Sequence, residues 1–406
     1  METADVLIIG AGVLGGSIAY YLAKQNAGRV LVLEKNSAAQ GNSSLAAGLL
    51  TRGRFKAHHI PFVLETYQAI NEIEHVSGRS LAMRQTGCLY AAISPRNQSQ
   101  LVELAAISKS AGLKMESLDE TDAAQLLPWL KLPPGSNVIF MPDDGYIDGY
   151  QLTSAYLRSA AALGVEVVEN TLVHAIQKIG RRVTGVLTDR GEFSAGLVID
   201  AAGIWAGLLA LELEIALPMA PIRSHYWVTD IHDLVSPDQP FLILPDARAY
   251  ARPESNRLLF GLREQNSVYV NPRELPAAMP GYTFKQDPNG WDSLLEGLPA
   301  FSKFVPFSEN VGIAHYIKGF SNYTPDGEFI LGAYPDMEGF MVASGCNGAG
   351  IAISAGAGRA IADLVTGQPP FTSLTPHRPD RFGTINPLDP NFLQRCAESR
   401  SGKISG

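Results

Sequence analysis

The chain has 406 residues, a formal net charge of −8 and 46% hydrophobic residues, and only 18% of its residues are charged. This composition is typical of a folded globular protein and excludes extensive disorder, and the length predicts two intertwined or sequential domains. No run of Lys and Arg forms the basic surface that nucleic-acid binding needs, so we predict no nucleic-acid partner.

The three cysteines, Cys88, Cys346 and Cys396, lie far apart in the chain and show no metal-ligand spacing. We therefore predict reduced thiols and no metal site. The first residues lead straight into a strand without a cationic region or an apolar signal core, and no apolar stretch reaches the roughly 18 residues of a membrane span. The sequence predicts a cytoplasmic location and no membrane insertion.

The N-terminal elements form a predicted βαβ unit. Residues 5–10 ("DVLIIG") are a short apolar run ended by glycine, which is typical of a strand buried on both faces. A helical stretch continues to about residue 25, and residues 29–35 ("RVLVLEK") form a second strand of the same kind. The turn between the first strand and the helix has the pattern Gly10-Ala11-Gly12-Val13-Leu14-Gly15.

Each glycine of this turn has a physical role that a larger residue could not fill. Gly10 permits a tight turn, Gly12 lets the backbone approach a pyrophosphate, and Gly15 lets the helix pack closely on the sheet. The helix N-terminus favours anionic phosphates. Glu34, at the end of the second strand, can accept hydrogen bonds from ribose hydroxyls, and an acid there argues against a 2′-phosphate. The pattern predicts dinucleotide binding by FAD or NAD.

The middle of the chain alternates between helix-like and strand-like segments. Residues 41–50 form a small-residue loop where backbone can pass close to a flat ligand, although a solvent-exposed loop has the same composition. Residues 149–164 are a predicted helix, and residues 197–206 are a buried strand that stops in a glycine turn. Residues 218–311 are rich in β-like segments and spotted with proline.

A second glycine-rich helix entrance lies near the C-terminus, at residues 344–364 ("SGCNGAGIAISAGAGRAIADL"). We predict that its helix begins at about Ile351. A helix N-terminus stabilises the negative charge that a flavin gains on reduction, and a nicotinamide has no such demand. This favours FAD over a nicotinamide-only dehydrogenase, with a plain helix–sheet contact as the alternative. Beyond residue 375 we expect an extended tail with a frayed end.

These segments together resemble the D-amino-acid oxidase superfamily of FAD-dependent oxidoreductases, in its sarcosine oxidase, dimethylglycine dehydrogenase and glycine oxidase branch. The resemblance covers nearly the whole chain and rests on "GAGVLGGSIAYYLAK", "VLEK", "AAGIWA", "YARPESNRLLFG", "YTPDGEFILG" and "SGCNGAGIAISAGAGRAIADLVTG" in this order. It implies an α/β fold in which a Rossmann-like FAD-binding domain is interleaved with a mixed β-sheet substrate domain.

The resemblance assigns residues 1–80, 149–217 and 312–374 to a discontinuous FAD-binding domain. Residues 81–148 and 218–311 then form the substrate-binding domain, and residues 375–406 a C-terminal tail. The residues expected to bind FAD are Gly10, Ala11, Gly12, Val13, Leu14, Gly15, Glu34, Lys35, Ser43, Ser44, Ala46, Ala47, Gly48, Leu49, Val173, Ala202, Gly203, Trp205, Gly345, Asn347, Gly348, Ala349, Gly350 and Ile351.

The chain departs from the family pattern at positions that matter for chemistry. Leu45 and Gly319 stand where relatives carry a flavin-linked histidine or cysteine, so we predict noncovalent FAD. Leu259 stands at the oxygen-activating lysine, which leaves either O2 or another electron acceptor open. Of two cations that hold a substrate carboxylate in the family, one corresponds to Arg52, and the other falls on Ala352.

The resemblance implies oxidation of the C–N bond of an amino acid or of a secondary or tertiary amine, similar to sarcosine, dimethylglycine or a cyclic amino acid. A hydride passes to flavin N5 and water hydrolyses the imine. Arg52 is the first candidate to anchor a carboxylate. Arg252 and Arg223 are alternatives, although a surface or structural ion pair is the favoured role for both. The remaining catalytic candidates are Tyr226, Tyr250, His225 and His315.

Two other functions fit the same fold. The chain is also consistent with a catalytic β-type subunit of a heteromeric amine oxidase or dehydrogenase, which passes electrons to a partner subunit. A flavin-binding assembly protein without catalysis is the third possibility. Bleaching of the flavin by an amine and co-purification of a partner subunit distinguish the three.

Overall fold

The computed structural model describes residues 2–403, and these residues form two eight-stranded sheets, a two-stranded pair and nine α-helices. In chain order the strands are β1 (Glu2–Ile9), β2 (Val30–Leu33), β3 (Leu49–Leu50), β4 (Cys88–Ala92), β5 (Glu116–Leu118), β6 (Asn137–Met141), β7 (Gly145–Tyr146), β8 (Glu166–Val168), β9 (Val173–Ile179), β10 (Arg182–Thr188), β11 (Gly191–Asp200), β12 (Ala220–Thr229), β13 (Phe241–Leu244), β14 (Ala249–Glu254), β15 (Arg257–Leu262), β16 (Ile313–Tyr323), β17 (Ile330–Ala333) and β18 (Phe340–Ser344). The helices are α1 (Val13–Lys24), α2 (Ile60–Ser77), α3 (Pro95–Ser110), α4 (Glu120–Leu126), α5 (Gly149–Ala162), α6 (Ala206–Glu212), α7 (Trp291–Phe301), α8 (Ser354–Val365) and α9 (Pro390–Ser401).

The first sheet is built on the predicted βαβ unit. Its order is β17-β18-β11-β1-β2-β8, and β10 and β9 continue as antiparallel strands from β11. Strand β1 pairs in parallel with β2 and β11, so that Ile8 lies opposite both Val32 and Ile199. The carboxyl ends of these strands meet at one edge of the sheet, where ligands bind in open α/β folds.

Helices cover both faces of this sheet, which is why its strands are apolar runs. On one face α1 packs against α5 and α8, and α8 packs against α2. The approach of α1 and α8 is close, because a Cβ added at Gly358 would lie 2.6 Å from the Ser17 hydroxyl oxygen. On the other face α6 packs against β9 and β11, and a second cluster of side chains is buried there.

The second sheet has the order β16-β12-β15-β14-β13-β4-β6-β5. Its strands come mainly from the two segments that the sequence assigns to a substrate domain. Strand β16 differs, because it falls in the segment expected in the FAD-binding domain. It pairs antiparallel with β12 along its length, from Ile313 opposite Thr229 to Tyr323 opposite Ala220. Within residues 2–403, no helix combines the length and the hydropathy that a membrane span requires.

The C-terminal segment contains a helix, α9, where the sequence led us to expect an extended tail; this expectation was wrong for the described part. Helix α9 begins after Asp389, whose carboxylate accepts a hydrogen bond from the Asn391 amide. Its buried side chains pack against β12 and β16, and they are Phe392, Leu393, Cys396, Ala397 and Arg400. The last three residues of the predicted frayed end lie outside the described residues.

Candidate functional site

The N-terminal glycine turn has the geometry that its sequence predicts. Gly10 has a φ of +102°, and a Cβ there would lie 2.6 Å from the Ala201 carbonyl oxygen. A Cβ at Gly15 would lie 1.9 Å from the Gly10 carbonyl oxygen, so only glycine permits this approach of helix α1 to the turn. The backbone of the turn therefore borders a cleft at the sheet edge, with the first turn of α1 facing it.

Glu34 lies across from this turn at the end of β2. Its Oε2 accepts a hydrogen bond from the Ala11 amide at 2.9 Å, and its Oε1 accepts one from the Asn36 amide at 3.0 Å. Lys35 closes this end of the cleft, because its ammonium lies 3.1 Å from the centre of the Trp205 ring. Burial lowers the pKa of Lys35 to about 8. The carboxylate is thus fixed beside the backbone that would face a dinucleotide.

Two adjacent cavities form one continuous cleft. They share Gly12, Asn42, Ser43, Ala201 and Gly203. One extends toward Glu34 and Val173, and the other extends toward the C-terminal glycine turn. The expected FAD-binding residues that border the cleft are Gly10, Ala11, Gly12, Val13, Leu14, Glu34, Lys35, Ser43, Ala46, Ala47, Gly48, Leu49, Val173, Ala202, Gly203, Trp205, Gly345, Gly348, Ala349, Gly350 and Ile351.

Three expected FAD-binding residues support the cleft without bordering it. Gly15 packs against Gly10, as described above, and the Ser44 hydroxyl donates to the Gly41 carbonyl. Asn347 holds the C-terminal glycine turn, because its Oδ1 accepts from the Thr324 amide at 2.9 Å and its Nδ2 donates to the Gly345 carbonyl at 2.7 Å. These residues shape the backbone that a ligand would contact.

The second helix entrance also lies at the cleft, although α8 begins three residues later than predicted. The residues before Ser354 form a turn, which the Ile353 amide closes by donating to the Ala349 carbonyl at 3.0 Å. Gly345 and Gly348 have φ of +63° and +76°. The two glycine-rich turns therefore border one cleft, which explains why the chain has both.

The residues of the cleft fit FAD. A carboxylate for ribose, glycine backbone for a pyrophosphate and a second helix entrance lie in the order that a flavin dinucleotide requires. Leu45 and Gly319 both border the cleft, and a Cβ at Gly319 would lie 3.3 Å from Leu45 Cδ1. Neither side chain can bond to a flavin. Cys346 also borders the cleft, but burial raises the pKa of its thiol to about 12.

Beyond the C-terminal glycine turn, tyrosines and three basic side chains border the cavity. Tyr226 and Tyr250, both predicted, border this part together with Arg263, Arg400 and Lys403, which sequence reasoning missed. Burial raises the pKa of Tyr250 to about 12 and lowers that of Arg263 to about 10. Burial and the neighbouring arginines also lower the pKa of Lys403.

Hydrogen bonds connect these cations to the cavity wall. Arg263 Nη1 donates to the Lys403 carbonyl, and Lys403 Nζ donates to the Asn347 carbonyl at 2.8 Å. Helix α9 and the residues after it thus reach the second glycine turn. Arg263 directly follows β15, whereas no local signal points from the C-terminal helix to this cavity.

A buried carboxylate, Glu264, pairs with two arginines behind the cavity. Its Oε1 lies 2.7 Å from the Arg223 guanidinium, and its Oε2 accepts from Arg400 Nη1 at 2.6 Å. Burial by itself raises the pKa of Glu264, but Arg400, His225 and Arg223 lower it overall. Arg223 is therefore a structural partner of Glu264, and it does not border the cavity.

The structure does not bring Arg52 and His315 to the cavity. The Arg52 guanidinium lies 3.5 Å from Asp143 and stacks over the Tyr67 ring at 4.0 Å, so its charge is directed away from the cleft. His315 is exposed on β16, opposite Val228. Neither the Arg52 side chain nor the His315 side chain borders the cleft.

Arg252 and His225 lie near the cavity in supporting positions. Arg252 Nε donates to the Ala47 carbonyl at 2.7 Å and thereby ties β14 to the loop that borders the cleft. His225 borders the cavity, but its ring has no exposed surface and its Nδ1 lies 3.0 Å from the Tyr316 hydroxyl. Burial lowers the pKa of His225 to about 4. It is a buried neutral imidazole.

Comparisons with known proteins agree with this geometry. The chain is 28% identical over 369 residues to 4-methylaminobutanoate oxidase (formaldehyde-forming) of Paenarthrobacter nicotinovorans, and 27% identical over 375 residues to mitochondrial sarcosine dehydrogenase of Mus musculus. These matches cover 90% and 91% of this chain but 44% and 40% of the relatives, so the chain spans less than half of their length. Glycine oxidase of Geobacillus kaustophilus is 26% identical over 385 residues, which cover 92% of this chain and 95% of that protein.

Solved structures share the fold. L-Proline dehydrogenase from P. horikoshii superposes with a TM-score of 0.82 at 21% identity, and the match covers 94% of this chain and 98% of that one. The model of the DAO family, described as FAD dependent oxidoreductase, matches residues 5–364. The chain therefore belongs to the DAO family of FAD-dependent oxidoreductases, and its cofactor is FAD.

Proposed function

We propose that the chain oxidises the C–N bond of a carboxylate-bearing amine, such as an N-methyl or cyclic amino acid. The observation that carries this proposal is the group of three basic side chains, Arg263, Arg400 and Lys403, that border the cleft beside Tyr226 and Tyr250. FAD supplies the acceptor for the hydride that leaves the carbon next to the amine. The imine product is hydrolysed in water.

The charges of the cavity favour an anionic substrate group. Glu264 lies between Arg223 and Arg400 and compensates part of their charge, and Arg263 adds a further guanidinium at the cavity wall. A guanidinium offers a planar pair of donors that matches a carboxylate.

The same cations help to keep the amine unprotonated. A secondary amine has a pKa near that of lysine, roughly 10, and only its neutral form can give up a hydride from the adjacent carbon. Nearby positive charge and burial both disfavour the protonated form. The Tyr226 and Tyr250 rings border the same space and would exclude water from the reacting carbon.

Matched substrate pairs test the proposal. The protein with FAD is mixed anaerobically with sarcosine or dimethylamine, and with proline or pyrrolidine, and the bleaching of the flavin is followed. We expect bleaching by the carboxylate-bearing member of a pair and at least about 10-fold slower bleaching by the other, because a charged hydrogen bond contributes roughly 1.5–3 kcal/mol. Equal rates within each pair would refute the carboxylate role. Anaerobic conditions make the result independent of the electron acceptor.

A pair of arginine variants locates the anchor. Arg263→Met should raise the substrate concentration for half-maximal bleaching by about 10- to 100-fold, because it removes a cation from the cavity wall. Arg52→Met is the matched control and should leave that concentration unchanged, because its guanidinium pairs with Asp143. The opposite pattern would restore the sequence-based assignment of Arg52.

A further inference from the structure

A cluster of three histidines and one glutamate lies outside the cleft. His58 and His59 come just before α2, Glu328 comes just before β17, and His377 comes from the C-terminal segment. One nitrogen of each histidine and a Glu328 carboxylate oxygen all lie within 4.8 Å of one another. Glu328 Oε2 is 3.0 Å from His58 Nε2, 2.8 Å from His59 Nε2 and 3.3 Å from His377 Nδ1.

His377 is the unusual member of the cluster. Its side chain has no exposed surface, and within the described residues neither ring nitrogen makes a hydrogen bond. Its ring lies against Phe329, with ring centres 5.1 Å apart. A buried imidazole that makes no hydrogen bond is unfavourable, and a bound ion would satisfy its nitrogen.

From this geometry we infer that the four side chains bind one divalent transition metal ion, with Zn²⁺ as the best match. Three imidazole nitrogens and one carboxylate oxygen are typical zinc ligands, and a site with four protein ligands is typical of a structural ion. Tetrahedral ligands about 2.0–2.1 Å from zinc are about 3.3 Å from each other. The observed separations from Glu328 Oε2 are close to this value.

Two of the three histidines are enclosed: the His59 side chain is 9% exposed and that of His377 has no exposed surface. Lys56 pairs with Glu328 Oε1 at 2.7 Å, which leaves Oε2 to face the histidines. The His58 side chain is 35% exposed and provides an entry path for the ion.

Such an ion would join three distant segments near the active cavity. The Glu328 carbonyl accepts from Asn347 Nδ2 at 3.0 Å, and Asn347 belongs to the second glycine turn. His377 precedes α9, which carries Arg400 to the cavity. The metal would therefore hold the C-terminal segment against the cofactor-binding part, whatever the substrate.

Zinc content is the direct test. The purified flavoprotein is dialysed against a chelator, incubated with ZnCl2 and passed through a desalting column, and metal per chain is measured by mass spectrometry. We expect one equivalent of zinc in the wild type and in His174→Ala, a control at an exposed histidine outside the cluster. His377→Ala should bind zinc at least about 100-fold more weakly, because it lacks a ligand.

Two measurements on the wild type make the test independent of the folding of variants. X-ray absorption at the zinc edge should give four nitrogen or oxygen neighbours at about 2.0–2.1 Å with imidazole scattering, and zinc should raise the Tm by about 3 °C or more. Less than one tightly bound equivalent, a six-coordinate site without imidazole, or equal affinity in His377→Ala and His174→Ala would overturn the inference. None of these results depends on the substrate.

Discussion

Gly15→Ala should separate the role of the N-terminal turn in FAD binding from its role in the fold. The added Cβ would lie 1.9 Å from the Gly10 carbonyl oxygen, more than 1 Å inside the closest approach that Cβ atoms make. The two atoms nearest to the added Cβ are the carbonyl oxygen and carbon of Gly10, which are backbone. The start of α1 or the Gly10 peptide must therefore move by about 1 Å. The displaced groups are those that would face the pyrophosphate.

We expect this displacement to weaken FAD binding by at least about 100-fold, which corresponds to roughly 2.7 kcal/mol. The assay is titration of the apoprotein with FAD, followed by flavin fluorescence. Gly207→Ala is the matched control, because its Cβ would meet only Met219 Cε at 3.6 Å. This control should bind FAD normally and gain up to about 1 kcal/mol of stability from helix propensity. A Gly15→Ala protein with wild-type affinity would refute the proposed contact.

Two further predictions concern carboxylates near the sheet edge. Glu34→Ala should raise the Kd for FAD by about 10- to 100-fold, because the backbone amide of Ala11 and the ribose lose their charged acceptor; unchanged affinity in the same titration would contradict this role. Asp200 is fully buried, and burial raises its pKa from 3.8 to about 7. The native state therefore holds a proton that the unfolded state loses, and stability falls as pH rises from about 4 to about 7. Asp200→Asn should remove this penalty and raise the free energy of unfolding by ~4 kcal/mol at most at pH 8, with little gain at pH 4. Denaturant unfolding at pH 4 and at pH 8 measures this gain. An equal gain at both pH values would exclude a contribution from the Asp200 proton.

The local motifs were predictable because their parts are close in sequence. A strand, a glycine turn, a helix and a second strand bring Glu34 to the Ala11 amide over a short stretch of chain. The spacing of the glycine turn and Glu34 in the sequence is enough to predict this contact, because the carboxyl ends of neighbouring parallel strands lie together. The family and its cofactor followed from such local patterns in a fixed order.

The cations of the cavity were not predictable in the same way. Arg400 reaches Glu264 across 136 residues, and Lys403 reaches the Asn347 carbonyl across 56 residues. No periodicity specifies which distant side chain fills a cavity. The C-terminal segment is rich in proline, and for this reason α9 was not predicted, although its buried residues Phe392 and Cys396 have helical spacing.

The histidine cluster was also not predictable, because its members are far apart in the sequence. His58 and His59 are adjacent, but Glu328 is about 270 residues away and His377 belongs to the tail. Metal motifs are recognised in sequence when ligands repeat at short spacing, whereas the four side chains of this cluster come from three segments. Arg52 was assigned to the cavity from its aligned position alone. That position does not reveal the contacts with Asp143 and Tyr67 that orient its side chain.

We expect FAD to lie noncovalently in the cleft between the two glycine-rich turns. The most direct test is the visible spectrum of the purified protein, recorded before and after acid precipitation. We predict a flavin spectrum that passes entirely into the supernatant, because Leu45 and Gly319 offer no bond to the cofactor. Colour retained in the pellet would contradict the noncovalent site, and a colourless protein that FAD cannot reconstitute would contradict the account of the cleft itself.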